Sequence, residues 1–130
     1  MNKHLKIKAV LFLAAASFSF VPPVSAQTVE TCAIVDSYIP VEKEFLWPDS
    51  EAGYINGDEP GSQVNVRTGP GIRYAASTYG LVGNYIDVIG QAFDSECRTW
   101  LKVRFPLSEF EGWIYSDFTA LHGGPRGLWD

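Results

Sequence analysis

The chain has little histidine and little cysteine, and this scarcity excludes several kinds of site. Its two histidines are His4 and His122, and its two cysteines are Cys32 and Cys97. A Ser-His-Asp or Cys-His arrangement needs an imidazole held in fixed geometry, and a structural zinc site needs four ligands, mostly Cys and His. We therefore predict no catalytic residues and no metal site, and we interpret the protein as a non-enzyme.

A second long apolar run is also missing. The single run, Ala9–Val21, follows three lysines and precedes small residues ending at Ala26, which is the pattern of a secretory signal. The run is too short to span a bilayer. We therefore expect residues 1–26 to be a signal peptide cleaved after Ala26, and the chain from Gln27 to be secreted or periplasmic without membrane insertion.

Positive charge is scarce as well. Cleavage would remove three of the ten basic residues and none of the fifteen acidic ones, so seven basic residues would face fifteen acidic ones, a net charge of −8. Nucleic acid and anionic membrane surfaces both require positive patches on a protein that binds them. Neither is expected as a partner.

The two cysteines remain after cleavage, and export places them in a compartment where disulfides persist. We expect one Cys32–Cys97 bridge, the alternatives being two free thiols or links between chains. Closing so long a loop removes roughly 4 kcal/mol of chain entropy from the unfolded state. A domain of about a hundred residues has a modest core, so this contribution matters.

Helical periodicity is not sustained over three turns anywhere after residue 26. From residue 53 onward, short apolar alternations are separated by Gly, Pro, Asn and Asp, which predicts strands. The predicted strands are GYIN, VNVR, YIDVIGQAF, TWLKVRF and GWIYSDFTAL, the last with a tight turn near SDF before a short strand that ends at Leu121. Such strands must curl into a small barrel or sandwich to bury one face, so the fold is predicted to be all-β.

Alternation assigns the two faces of these strands. The residues placed on the inner faces are Val64, Val66, Ile86, Val88, Leu101, Val103, Phe105 and Ile114. Trp100 is placed on the opposite face with Lys102 and Arg104.

The two ends of the chain look less regular. Residues 27–52 are acidic and predict an irregular N-terminal arm with one strand at Cys32–Tyr38 and a loop over FLWPDSEAG, because Pro48 disfavours regular pairing. Residues 122–130 are rich in glycine and predict a flexible tail. Trp129 in that tail is either an ordinary exposed aromatic residue or an anchor for a partner.

Four motifs then occur in one order: NVRTGPG, YGLVGNYIDVIGQ, WLKVRF and GWIYSDF. In this order they resemble the bacterial SH3 (SH3b) domain, over Tyr54 to Leu121. The resemblance implies an SH3-like barrel of five or six short strands across residues 53–121, exported, with no cofactor and no chemistry of its own. FDSECRTW, with its cysteine, and the long FPLSEFEGW depart from the usual pattern beside possible binding loops.

The stretch VNVRTGPGIRY would form the first long loop of that barrel. Gly69 and Gly71 are expected to permit backbone angles that other residues resist, and Pro70 to stiffen the turn. Arg67 is expected to clamp the loop, since its five donors can reach loop carbonyls. We assign a structural role in this loop to Asn65, Arg67, Gly69, Pro70 and Gly71.

In SH3-like barrels, a groove between the first long loop and its neighbour binds extended peptides through aromatic faces. By resemblance, the ligand-binding residues are expected to be Arg73, Tyr74, Trp100, Trp113 and Tyr115. The alternative for each ring is that it completes a small core.

The function implied by the resemblance is that of a monomeric, non-catalytic module that binds the peptide or glycan of cell-wall peptidoglycan. The alternative is an interaction or inhibitor protein whose barrel and acidic arm dock onto another exported protein. The charge of −8 favours the alternative slightly, because the wall is itself acidic and repels a negative binder.

Overall fold

The computed structural model describes residues 30–122. The predicted signal peptide, and the predicted tail apart from His122, lie outside these residues. The strands are β1 (Thr31–Ile34), β2 (Ser37–Pro40), β3 (Phe45–Ile55), β4 (Gln63–Arg67), β5 (Ala76–Leu81), β6 (Tyr85–Phe93), β7 (Thr99–Arg104), β8 (Glu111–Tyr115) and β9 (Thr119–Leu121), with one turn of 3-10 helix at Ser116–Phe118. The all-β prediction is confirmed. No helix in the described range has the length and apolar character needed to cross a bilayer.

Seven strands form one antiparallel sheet in the order β5-β4-β8-β7-β6-β3-β9, and β1 and β2 form a separate hairpin. Gly80 of β5 lies close against Ile55 of β3, and a Cβ at Gly80 would overlap the Ile55 side chain. The Gly83 amide donates to the Ile55 carbonyl at 2.7 Å, and the Ile55 amide donates to the Asn84 carbonyl at 2.9 Å. The two ends of the sheet therefore approach one another around a single interior, as in a small barrel-like fold.

Alternate residues of the strands fill this interior. The buried members are Ile55, Val64, Val66, Ile86, Val88, Leu101, Val103 and Ile114. Each such side chain contributes about 1.5–3 kcal/mol when fully buried. The predicted inner faces of β4, β6, β7 and β8 are therefore confirmed, and Phe105, just after β7, packs half-buried against the same cluster.

The outer face of the sheet carries a second, smaller cluster. Trp100 faces away from Leu101, as predicted, but it is only 3 % exposed. Ala92 and Tyr115 lie directly opposite it on the two neighbouring strands, and Trp113 completes the group. Cross-strand neighbours of this size cover one another, which is why a side chain on the outer face is buried here.

The prediction of an irregular N-terminal arm is wrong, because the described part of that segment forms strands. The strand expected at Cys32–Tyr38 is the hairpin β1–β2, whose turn contains Val35 at a φ of 53°. The loop expected over FLWPDSEAG is most of β3, which lies between β6 and β9 in the large sheet. Pro48 does disturb the pairing, since the register of β3 against β6 shifts between Leu46 and Glu51.

The predicted disulfide is confirmed: Cys32 of β1 is bonded to Cys97 in the turn between β6 and β7. Cys32 is buried, and Cys97 has a φ of 60° in that turn. The bridge therefore fastens the N-terminal hairpin to the large sheet.

Candidate functional site

Arg67 fixes the loop between β4 and β5, residues 68–75. Its Nη1 donates to the Tyr74 carbonyl at 2.9 Å and to the Ile72 carbonyl at 3.4 Å. These contacts are the ones predicted for a clamp. Pro70 is buried at the tip of the loop, so the turn is packed against the protein body. Backbone groups of an irregular loop need such partners, and Arg67 supplies them from the end of β4.

The predicted reason for the two loop glycines is wrong, since neither Gly69 nor Gly71 has a positive φ. Gly69 is required instead by the close approach of an aromatic ring. A Cβ built at Gly69 would lie 2.5 Å from the Tyr74 ring, whereas one built at Gly71 would find its nearest neighbour at 3.7 Å. The two glycines, which look equivalent in the sequence, differ in the space around them.

This difference is directly testable. Gly69→Ala is expected to lower the free energy of unfolding by about 1–3 kcal/mol, because the Tyr74 ring must move to admit a methyl group. Gly71→Ala, two residues away, is the matched control and is expected to change it by less than about 1 kcal/mol in either direction. Urea unfolding of the two oxidised variants measures both values. Equal losses in the two variants would contradict the proposed close packing at Gly69.

Glu42, between β2 and β3, holds the far side of the same loop. Arg73 donates to Glu42 through Nε at 3.0 Å and through Nη2 at 2.6 Å, and Tyr74 donates its hydroxyl to the same carboxylate. The Arg73 guanidinium also lies over the Tyr74 ring, 4.4 Å from its centroid. Arg73 and Tyr74, both predicted to bind ligand, are therefore engaged within the protein.

The ionisation of this cluster agrees with its geometry. The hydrogen bond from Arg73 is the largest influence on Glu42 and, with that from Tyr74, lowers the pKa of its carboxyl despite partial burial. The hydrogen bond to Glu42, followed by burial, raises the pKa of the Tyr74 phenol. Glu42 itself has a φ of 65°, and its amide donates to the Phe93 carbonyl at 2.7 Å. Glu42 thus joins β6, through its amide, to the loop, through its carboxylate.

Asp94 organises the neighbouring turn between β6 and β7. Its Oδ1 accepts from the amides of Glu96 and Arg98, and its Oδ2 accepts from Arg98 Nε and Trp100 Nε1, all four at 2.9 Å. The side chain is buried, which by itself would raise the pKa of the carboxyl, but these hydrogen bonds outweigh burial and the pKa is lowered. Asp94 is therefore an ionised anchor beneath the turn.

Between the loop and this turn lies a small groove of about 240 Å³, here called the loop groove. It is lined by Gln63, Val64, Asn65, Arg67, Ile72, Arg98, Trp100, Tyr115 and Phe118. Trp100 and Tyr115 were predicted to bind ligand, and their ring centroids lie 5.5 Å apart. Arg98, Ile72 and Phe118 were not predicted; the last two are exposed apolar side chains.

Trp113 does not belong to this groove. It is only 5 % exposed within the outer cluster, so its predicted contact with a ligand has no support in the geometry. Its ring contributes to stability instead, as the alternative for such rings anticipates. Asn65 lies exposed on β4, where it pairs in register with Tyr79 and lines the groove.

A larger open groove, of about 920 Å³, lies between β5, the turn before β6 and the loop between β7 and β8. We call it the aromatic groove. It is lined by Thr78, Tyr79, Gly83, Asn84, Tyr85, Phe105, Pro106, Leu107, Ser108 and Phe110. None of these side chains is charged, and the groove shares no residue with the loop groove. No local pattern predicts this groove, because its walls come from three separate segments of the chain.

Metal-ligating side chains are not grouped in the described range: no three His, Cys, Asp or Glu residues between 30 and 122 converge as a metal site requires.

Comparison with known proteins assigns no family to the chain. No family model matches it, and no solved structure matches it. A stretch of 67 residues, 52 % of the chain, is 40 % identical to part of Serine/threonine-protein kinase D from Synechocystis sp.. That stretch spans 13 % of the kinase's length.

Proposed function

We propose that this chain is an exported, non-catalytic binding module of the bacterial SH3 type, and that its loop groove binds an extended peptide or glycan of the cell wall. The observation that carries the proposal is the construction of that groove. The half-buried ring of Tyr115 forms its floor, the buried Trp100 supports that ring from below, and the exposed side chains of Ile72 and Phe118 flank it. Aromatic faces with apolar edges and polar tips suit an extended chain lying across them.

Arg98 adds a polar contact at the side of this floor. Its Nε is used on Asp94, whereas its Nη2 lies 3.7 Å from Glu96 Oε1, too far for a hydrogen bond. The guanidinium also lies over the Tyr115 ring, 5.8 Å from the centroid. Donors of Arg98 therefore remain for a ligand carbonyl or carboxylate, groups that a wall peptide carries.

Both sides of the groove are held before any ligand arrives. Arg67 and Glu42 fix the loop, and Asp94 fixes the opposite turn. Pre-ordered walls reduce the entropy lost on binding, which supports a binding role. The groove is smaller than the 300–1,000 Å³ usual for small-molecule sites, so it suits one side chain or sugar of a longer ligand. Affinity is then weak for each module and is increased by multivalent attachment.

Two further observations are consistent with this proposal. The disulfide fits an oxidising compartment, as does the N-terminal pattern of a signal peptide. The likeness to 13 % of a much longer kinase chain fits a small unit that recurs in proteins of different overall function.

Co-sedimentation of the oxidised protein with purified peptidoglycan tests the proposal. Ile72→Ser and Phe118→Ser each remove an exposed apolar edge of the groove, and each is expected to weaken binding by about tenfold or more. Tyr38→Ser removes a ring that is more exposed than either of these side chains from β2, outside the groove, and is the matched control with unchanged binding. The buried Trp113 is avoided, because its removal would disturb folding. Wild-type protein that does not bind, or groove variants that bind like the control, would overturn the proposal.

Docking onto another exported protein is less well supported. Two acidic side chains of the N-terminal segment are already paired, Glu42 with Arg73 and Glu44 with Lys102 at 3.0 Å. Raising the salt concentration in the same sedimentation assay separates the alternatives. Wall binding through aromatic faces is expected to persist, whereas docking of the acidic surface onto a basic protein weakens as charges are screened.

A further inference from the structure

We propose that the aromatic groove is a second binding site, and that its ligand is a neutral oligosaccharide whose sugar rings stack on the exposed tyrosine rings. The inference does not depend on the proposed function, which concerns the loop groove. It is carried by three features of the aromatic groove: its exposed rings, its uncharged hydroxyl and amide groups, and its pre-ordered walls.

Exposed rings form the apolar part of the groove. Tyr79 on β5 is 51 % exposed, Tyr85 at the start of β6 is 66 % exposed, and Phe110 just before β8 is also exposed. A contiguous apolar patch on a protein surface usually marks a site of interaction. A tyrosine ring presents an apolar face and a polar tip. A sugar ring presents the same combination, because its C–H bonds form an apolar face and its hydroxyl groups project from the rim.

The polar part of the groove consists of uncharged side chains. Asn84 Oδ1 accepts from the Leu81 amide at 2.9 Å, which leaves the NH2 group of Asn84 as a donor. Ser108 Oγ accepts from the amide two residues later at 3.2 Å, so its O–H also remains to donate. Within residues 30–122, the hydroxyls of Thr78 and Tyr79 have no hydrogen-bond partner. Donors and acceptors therefore remain on both sides of the rings.

These groups favour a sugar over a peptide. A side-chain hydroxyl both donates and accepts, and a sugar hydroxyl can pair with it in either sense. A proline-rich peptide offers mainly backbone carbonyls, which call for donors alone. The lining carries no charge, so an ionised peptide side chain or a charged sugar would lose water there without gaining a counter-ion. A neutral oligosaccharide meets both conditions.

The walls of the groove are held in place before a ligand arrives. The Tyr85 ring packs edge-on against the His122 ring, with 5.7 Å between centroids. The Phe105 and Phe110 rings lie 6.5 Å apart on the opposite wall. Pre-ordered rings reduce the entropy lost on binding. The volume of about 920 Å³ lies within the range of about 300–1,000 Å³ that is usual for ligand sites, so an oligosaccharide rather than a single sugar fits the groove.

NMR titration of the oxidised, isotope-labelled protein with two neutral tetrasaccharides, cellotetraose and tetra-N-acetylchitotetraose, tests the inference. At least one of them is expected to shift the backbone amides of residues 78–85 and 105–110 to saturation. Tyr79→Leu and Tyr85→Leu keep an apolar side chain but remove the flat ring, and each is expected to weaken this binding about tenfold. Tyr38→Leu, at an exposed ring outside the groove, is the matched control and is expected to leave binding unchanged.

Amide shifts outside the groove report whether each variant is folded. The inference is overturned if neither sugar produces saturable shifts, or if both groove variants bind like the control. Shifts centred on Ile72 and Phe118 and abolished by Phe118→Ser would place the sugar in the loop groove, which would overturn this inference and leave the proposed function standing. Groove shifts produced by a proline-rich peptide and not by the sugars would assign the groove to a peptide. Groove amides that move on dilution without any ligand would assign it to a second copy of the chain.

Discussion

Removal of the Cys32–Cys97 disulfide is expected to lower the free energy of unfolding by about 4 kcal/mol, the entropy of a closed loop of this length. The two cysteines are 65 residues apart in sequence, and between them lie β2 to β6. Domains of this size have a total stability of about 5–15 kcal/mol, so the reduced protein should be marginally stable at physiological temperature. Urea unfolding with and without reductant measures the difference.

The double variant Cys32→Ala/Cys97→Ala provides the control for this experiment. Its stability should not respond to reductant, and it should lie at or below that of the reduced wild-type protein, since Cys32 is buried and alanine fills less space. A loss well below 1 kcal/mol on reduction would show that the N-terminal hairpin holds its place without the bridge, and that the unfolded chain is constrained in some other way.

Asp94→Asn is expected to cost about 3 kcal/mol at neutral pH. Replacing Oδ2 by an NH2 group would set donors against the Arg98 and Trp100 donors that now bind there, and would remove the charge paired with Arg98. Removing one partner of a buried, hydrogen-bonded ion pair is among the single changes that reduce stability most. Asp87→Asn is the matched control, because Asp87 lies 4.0 Å from Arg104 in a partly exposed pair and its loss should cost less than about 1 kcal/mol.

The difference in stability between the wild type and this variant is also expected to depend on pH. The pKa of Asp94 is lowered in the folded state, so its stabilising contribution is complete above the ordinary value of 3.8 and is lost as the pH falls toward the folded-state value. The stability difference between the wild type and Asp94→Asn should therefore be constant near neutrality and shrink below about pH 4. A difference that persists undiminished at pH 2 would contradict the assignment of an ionised Asp94.

Much of the fold was predictable because the inner strands bury alternate aliphatic residues, a pattern visible within five residues of sequence. β5 was missed because only one of its six residues, Gly80, is buried, so no apolar alternation marks it. β3 was missed over Phe45–Ala52 because Pro48 and the acidic residues dominate the local composition. Its pairing with β6 is a long-range contact, which local composition does not report.

The residues of the candidate site likewise fall into those whose contacts are local in sequence and those whose contacts are distant. Arg67 contacts carbonyls five and seven residues later, so its role was visible locally. Glu42 and Arg73 are 31 residues apart, and nothing in either neighbourhood predicts their pairing. Asp94 had a usable signal, since an Asp that begins a turn commonly accepts from the amide two residues on, as it does here from Glu96. Trp100 and Trp113 were predicted to contact a ligand, but both are buried on the outer face of the sheet. Their burial depends on neighbours across the strands, which the local sequence does not identify.

The position of β3 inside the large sheet determines where the chain can be shortened without disrupting the fold. Composition suggests a cut before Gly53, yet Phe45 and Leu46 pair with Gln91 and Gly90 of β6. A fragment beginning at Gly53 would lose that pairing and the Cys32 end of the bridge, and would leave backbone donors and acceptors of β6 open to other chains. The smallest unit that can be moved intact into another protein must therefore include Cys32, some twenty residues earlier than the strand-rich composition suggests.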